Sequence, residues 1–255
     1  MPLKVFITGA SSGIGEALAR EYAKQGAILG LIARRAGALA QLKDALPTTC
    51  LAYTADVRDA RAMQQAAGDF IKQHDCPDVV IANAGISGGT FTEHPQDLEA
   101  FQTILDTNVM GMVKTFQPFL TQMREHKRGT LVGIASISGF RGLPGVGAYS
   151  ASKAAAISYL ESLRVELHGS GVRVLTVCPG YIATPMTANN PYPMPFIISA
   201  EVAAKKIIRA VERQRKFLVI PWQMAILGHI LKILPRWLYD REFSKTPRKP
   251  RDIAL

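Results

Sequence analysis

A chain of 255 residues, 48% hydrophobic and 20% charged, is long enough for one large α/β domain and too apolar to be disordered. Its net charge of +10 raises nucleic acid as a partner, but no basic stretch is interleaved with stacking aromatics and no zinc-finger or RNA-recognition pattern appears. The basic residues gather toward the C-terminus, at Lys205, Lys206, Arg209, Arg213, Arg215 and Lys216, then Lys245, Arg248, Lys249 and Arg251, which suits an anionic membrane surface or a phosphorylated ligand better than DNA.

Cys50, Cys76 and Cys178 are odd in number and lack metal-ligand spacing, so reduced, buried thiols and no metal are expected. The strand-like run Leu3-Lys4-Val5-Phe6-Ile7 begins almost at once, and a cytoplasmic location is the expectation.

Short apolar runs alternate with longer helical patterns, the signature of βαβ units and a parallel sheet. The runs predict strands at 3–8, 27–33, 49–54, 78–82, 129–135, 172–178 and 217–220, with helices near 14–25, 36–46, 59–74, 97–126, 148–168 and 200–213. The fold class is a doubly wound, Rossmann-type sheet of about seven strands covered by helices on both faces. Such sheets bind ligands beyond the carboxyl ends of their strands.

Directly after the first strand comes Thr8-Gly9-Ala10-Ser11-Ser12-Gly13-Ile14-Gly15. Glycines there let the backbone approach a pyrophosphate, and the following helix offers unpaired N–H donors. The second strand ends in Ala33-Arg34-Arg35. No acid stands ready for a ribose 2′-hydroxyl, whereas the guanidinium groups suit a 2′-phosphate, so NADP(H) is favoured over NAD(H). Asp56 and Val57 follow the third strand within reach of an adenine, and Asn83-Ala84-Gly85 follows the fourth. Asn108 lies in an apolar stretch of the fifth helix, either as a helix-distorting structural device or as part of a polar relay. At the end of the fifth strand, Ser136 is a candidate oxyanion-type donor. Ser138 competes with it, because alternation would point both the same way if the strand continued.

Tyr149 and Lys153 stand four residues apart at the start of a small-residue helix, on one face. A free tyrosine has a pKa of about 10. A cation one turn away favours the phenolate and is expected to lower that value, making the hydroxyl usable for proton transfer.

Together, TGASSGIG, the Asn83-Ala84-Gly85 triplet, Asn108, Ser136, Tyr149-x-x-x-Lys153 and Pro179-Gly180 resemble the short-chain dehydrogenase/reductase family over about residues 3–220. The resemblance implies Tyr149 as general acid/base and Lys153 as the residue that lowers its pKa and holds the nicotinamide ribose. It implies Ser136 as the carbonyl-orienting serine, and Asn108 as the group placing a water beside the lysine. It further implies cofactor contacts from Gly9, Ser11, Ser12, Gly13, Ile14, Gly15, Arg34, Arg35, Asp56, Val57, Asn83, Ala84, Gly85, Pro179, Gly180, Ile182 and Thr184. The implied activity is NADP(H)-dependent interconversion of a carbonyl and an alcohol by a homodimer or homotetramer. A non-catalytic dinucleotide sensor is the alternative of a different class.

The resemblance makes the stretch from Gly180 to about residue 199 a substrate loop. Its prolines stiffen it, and Met186, Met194, Tyr192 and Phe196 are expected to line an apolar pocket. A lipophilic substrate follows from that, with a small or medium carbonyl compound as runner-up. Residues 1–221 read as the catalytic domain and 222–255 as an appended apolar helix and basic tail. The thirteen residues between Pro221 and Pro235 would make roughly 20 Å of helix, short of the roughly 30 Å needed to span a bilayer. Trp222, Trp237 and Tyr239 near its ends, the narrow polar face of His229, Lys232 and Arg236 and the basic tail suit a helix lying in an anionic membrane interface. A pocket cover or oligomer contact suits the same pattern.

Overall fold

The computed structural model describes residues 1–251. Its centre is a seven-stranded sheet built from β1 (Lys4–Thr8), β2 (Ile28–Ala33), β3 (Cys50–Thr54), β4 (Val79–Ala82), β5 (Thr130–Ile134), β6 (Arg173–Pro179) and β9 (Phe217–Ile220). The spatial order is β3-β2-β1-β4-β5-β6-β9, with every neighbouring pair parallel. The inner strands are apolar throughout because both faces are covered, leaving no solvent side to alternate toward.

Against one face pack α1 (Gly13–Lys24), α2 (Ala36–Asp44) and α7 (Ala200–Glu212), through Leu18, Tyr22, Leu39 and Ile207. Against the other pack α3 (Ala60–His74), α5 (Gly111–Glu125) and α6 (Gly147–Glu166), through Phe70, Phe116, Phe119 and Leu160. Local chemistry fixes several helix starts. Asp59 caps α3 by accepting from the N–H groups of Arg61 and Ala62, and Ser199 caps α7 by accepting from Val202.

The chain order reverses between β1 and β4, which are sheet neighbours. Register pairs Ile7 with both Leu31 and Ile81, so the ends of β1, β2 and β4 are level. The segments after Thr8, Ala33 and Ala82 therefore open on one edge, where this topology leaves a crevice. All three cysteines are free and buried.

Three expectations are corrected. The helix predicted over 97–126 is interrupted: α4 (Asp97–Leu105) passes into one π-helical turn, Asp106–Met110, before α5 begins. The helical hydrophobic period runs straight through this turn, so periodicity cannot reveal it. Its physical cause is Asn108, which is 1% exposed and turns inward. Its Oδ1 accepts from the Ile86 N–H at 2.9 Å, and its Nδ2 donates to the Ile86 carbonyl and to Ser152 Oγ, both at 3.0 Å. Second, the fifth strand does not reach Ser138. Ile137–Gly139 form a 3-10 turn, and the Ser138 N–H donates to Ser136 Oγ at 3.1 Å. Third, the stretch 180–199 contains a two-residue pair, β7 (Ile182–Ala183) with β8 (Ile198–Ser199). These strands are too short for any periodic signal.

Beyond β9 the apolar segment forms two helices, α8 (Trp222–Ile233) and α9 (Arg236–Phe243), divided at Leu234-Pro235. One face of α8 packs inward. Met224 lies against Gly180 and Gly228 lies against the ring of Phe140, with no room for a side chain at either glycine.

Replacing Asn108 with Ala leaves the Ile86 N–H without its acceptor and removes what holds the π turn open. An unsatisfied donor of this kind costs about 1–3 kcal/mol. Denaturant unfolding of Asn108→Ala is expected to show that loss, whereas an unchanged midpoint would contradict the role given to this side chain.

Candidate active site

The crevice is a cavity of about 640 Å³ at the carboxyl edge of the sheet, within the range of small-molecule and cofactor sites. Every expected catalytic and cofactor-contact residue lines it except Gly15 and Asn108. Those two stand directly behind the wall. A side chain at Gly15 would strike the Gly9 carbonyl and Asn83 Nδ2. Asn108 lies behind Ile86 and Gly85, tied to both Ile86 backbone groups.

At the β1 end, Gly9 and Gly13 adopt φ of +66° and +57°, the left-handed region that favours glycine. Gly9 also passes so near Ala84 that a Cβ would sit 2.7 Å from the Ala84 Cα. Asn83 fastens this loop: its Nδ2 donates to the carbonyls of Thr8 and Gly9, each at 3.1 Å. Thr8 Oγ1 returns the clamp by accepting from the Asn83 and Ala84 N–H groups. Ser12 gives α1 no side-chain cap, so the first N–H groups of that helix face the cavity as anion donors.

Past β2, Arg35 Nη2 donates to Ser11 Oγ and to the Ser11 carbonyl, both at 3.1 Å. The guanidinium thus stands over the glycine loop, with Arg34 beside it on the same wall. Asp56 is engaged elsewhere, in an ion pair with Arg58 at 2.8 Å. Burial would raise its pKa, but the hydrogen bonds from Arg58 outweigh this and hold the carboxyl below its usual range. A dinucleotide fits this donor set, with backbone N–H groups for the pyrophosphate.

At the other end, α6 brings Tyr149 and Lys153 to the wall, while Ser136 follows β5. Ser136 is 7% exposed and Lys153 is 4% exposed. Lys153 Nζ donates to the Ile134 carbonyl at 2.8 Å and lies 5.7 Å from the centre of the Tyr149 ring. Desolvation lowers the Lys153 pKa to about 8, against a small opposing effect of the Cys178 thiol. Tyr149 departs from expectation. Burial raises its pKa, and the hydrogen bond from Ser136 only partly offsets that. Spacing along a helix identifies the pair but says nothing of its solvation, and here desolvation wins. A protonated phenol at neutral pH is thereby a proton donor, with a serine hydroxyl beside it and a cation behind.

The loop after Gly180 follows its predicted role only in part. Ile182, Pro185 and Met186 line the cavity, whereas Phe196 and Ile197 face outward. Burial raises the Tyr192 hydroxyl to about 12, and its ring lies 6.3 Å from that of Tyr181. The sequence missed Ser87, Thr107, Thr187 and Asn189, along with Lys249 and Pro250 of the C-terminal tail. For the tail residues no local signal exists, since Lys249 meets Ser87 across 162 positions of chain.

The family model described as short chain dehydrogenase matches residues 4–193. An uncharacterized oxidoreductase of Myxococcus xanthus is 40% identical over 237 residues, covering 92% of this chain and 93% of that one. An 11-beta-hydroxysteroid dehydrogenase 1A of Arabidopsis thaliana is 32% identical, covering 85% of this chain and 68% of that protein. Among solved structures, a short-chain dehydrogenase from Streptomyces avermitilis superposes with a TM-score of 0.81 at 26% identity, covering 96% of this chain and 98% of the other.

Proposed function

The chain belongs to the short-chain dehydrogenase family, and on that footing we propose that it is an NADP(H)-dependent oxidoreductase interconverting a carbonyl and an alcohol on a lipophilic substrate. One observation carries the reading: Ser136, Tyr149 and Lys153 share a cavity wall with the glycine loop and its arginines. A bound nicotinamide supplies or accepts the hydride. Tyr149, whose hydroxyl is held above the usual phenol range by burial, donates its proton to the carbonyl oxygen. Ser136 donates a hydrogen bond to the same oxygen and so polarises and orients it. Lys153, cationic below about pH 8, stabilises the phenolate that remains and holds a ribose hydroxyl. Oxidation of an alcohol runs these steps in reverse. Asn108 serves as a positioning residue, since its Oδ1 and Lys153 Nζ both flank Gly85.

Preference for NADP(H) rests on Arg34 and Arg35 together with Ala33, which offers no acid to a 2′-hydroxyl. A lipophilic substrate is supported by Ile182, Pro185 and Met186 on the cavity wall and by the hydroxysteroid dehydrogenase relative.

A second reading concerns the outer faces of α8 and α9. Trp222, Ile226, Ile230, Ile233 and Trp237 are all exposed there, Ile233 by 80%, and Lys232 and Arg236 accompany them. Among the described residues, no helix is long and apolar enough to cross a membrane. These faces are proposed to lie in the interface of an anionic membrane. The tail cations contribute less than the sequence implies, because Lys249 and Arg251 turn back onto the protein.

Following NADPH oxidation against ketones graded from small to steroid-sized is expected to give turnover that Tyr149→Phe reduces by about 100-fold or more. NADPH binding should survive that change, and NADPH should outcompete NADH until Arg34 and Arg35 are both replaced by Ala. Full activity in Tyr149→Phe would overturn the reading. For the membrane reading, Ile226→Asp/Ile233→Asp is expected to abolish flotation with anionic vesicles. Equal recovery of variant and parent would refute it.

A further inference from the structure

Beyond α9 the chain turns back onto the protein as a strap that places Lys249 and Pro250 on the cavity wall, secured on both sides of Lys249. Before it, the Arg248 guanidinium lies 5.3 Å from the centre of the Phe91 ring, and its side chain packs on Gly145. After it, the Pro250 carbonyl accepts from the Gly89 N–H at 2.8 Å. Arg251 then grips Asp97, with Nη2 2.8 Å from one carboxylate oxygen and Nε 3.1 Å from each. Asp97 is itself fixed by accepting from the Phe91 N–H.

These anchors turn Lys249 inward. Its Nζ reaches Ser87 Oγ and the Met186 carbonyl, each at 3.2 Å, and so bridges the segment after β4 to the segment after β7. Ser87 lies two residues beyond Gly85, the residue flanked by Lys153 Nζ. Lys249 therefore lines the cavity beside the segment after β4, whose Gly85 is flanked by Lys153 Nζ. Both of its partners are neutral acceptors, and among the described residues no carboxylate offsets it. Asp56, the one acid on the wall, is bound to Arg58. A half-buried ammonium with only neutral acceptors keeps most of its charge available to a ligand.

We propose that Lys249 is a specificity-determining residue that pairs with an anionic oxygen group, a carboxylate or phosphate, carried by an otherwise apolar substrate. The strap delivers the cation, while Ile86 and Met186 beside it supply apolar contact for the rest of the molecule. This rests on the oxidoreductase reading for the identity of the cavity as a substrate site. The other source of anionic oxygen at this position is the cofactor's own pyrophosphate.

The test uses full-length protein saturated with NADP⁺ and reads binding by calorimetry, with octanoate and its neutral analogue octanamide as probes. Octanoate is expected to bind more tightly than octanamide. Lys249→Met should weaken octanoate about tenfold or more while leaving octanamide and NADP⁺ unchanged, as loss of a charge-assisted contact requires. Lys249→Arg should retain the preference. A parent protein without preference for octanoate, or equal loss of both probes, would overturn the proposal. Weakened NADP⁺ binding in Lys249→Met would also overturn it, by assigning the cation to the cofactor. None of these readouts depends on turnover, so their failure is distinguishable from failure of the Tyr149 assignment.

Discussion

The hydrogen bond from Lys153 Nζ to the Ile134 carbonyl joins the helix that carries Tyr149 to the edge of the sheet that frames the cavity. An ammonium placed there is nearly out of contact with water, and burial lowers its affinity for a proton accordingly. Neighbouring residues are arranged to make that burial possible. Gly139 lies against the Lys153 backbone with no room for a side chain, and Gly85 leaves the space beside Nζ open. The preceding residue, Ser152, turns the other way, donating to the Tyr149 carbonyl and accepting from Asn108. One turn of α6 is thus locked to β5 through Lys153 and to the π turn through Ser152.

The charge pattern of the cavity follows from the same economy of partners. Arg34 and Arg35 stand at the β2 end, and Lys153 and Lys249 also line the wall. The one carboxylate on the wall is bound by Arg58. A cleft with cations at several points and no free acid focuses a positive potential inward, which favours anionic ligands over neutral ones. The net charge of +10, which raised nucleic acid as a partner, is in part the charge of this cleft.

What could be read from the sequence divides along physical lines. Gly9, Gly13, Arg34 and the Tyr149/Lys153 pair are legible because their chemistry is local: a turn, a strand end, one helical face. The seven strands are legible because covered parallel strands are continuous apolar runs. Asn108 was visible as an anomaly, yet its partner Ile86 lies 22 positions away, so the π turn it imposes could not be seen. Lys249 reads as one more cation in a basic tail, and only the fold brings it to Ser87. The upward direction of the Tyr149 shift is hidden from the sequence for a related reason. Proximity of a cation is written in the spacing, whereas desolvation is a property of everything packed around the hydroxyl.

The buried ammonium of Lys153 is what the proposed chemistry depends on, and its ionisation is open to direct measurement. Carbon-13 labelling of the lysine side chains, with Lys153→Met to identify the resonance, allows its titration to be followed by NMR in the cofactor-free protein. A midpoint near 8 is expected, with the charge present below that pH and lost above it. A midpoint at the ordinary lysine value of about 10.4 would show the ammonium to be solvated and would contradict the site described above.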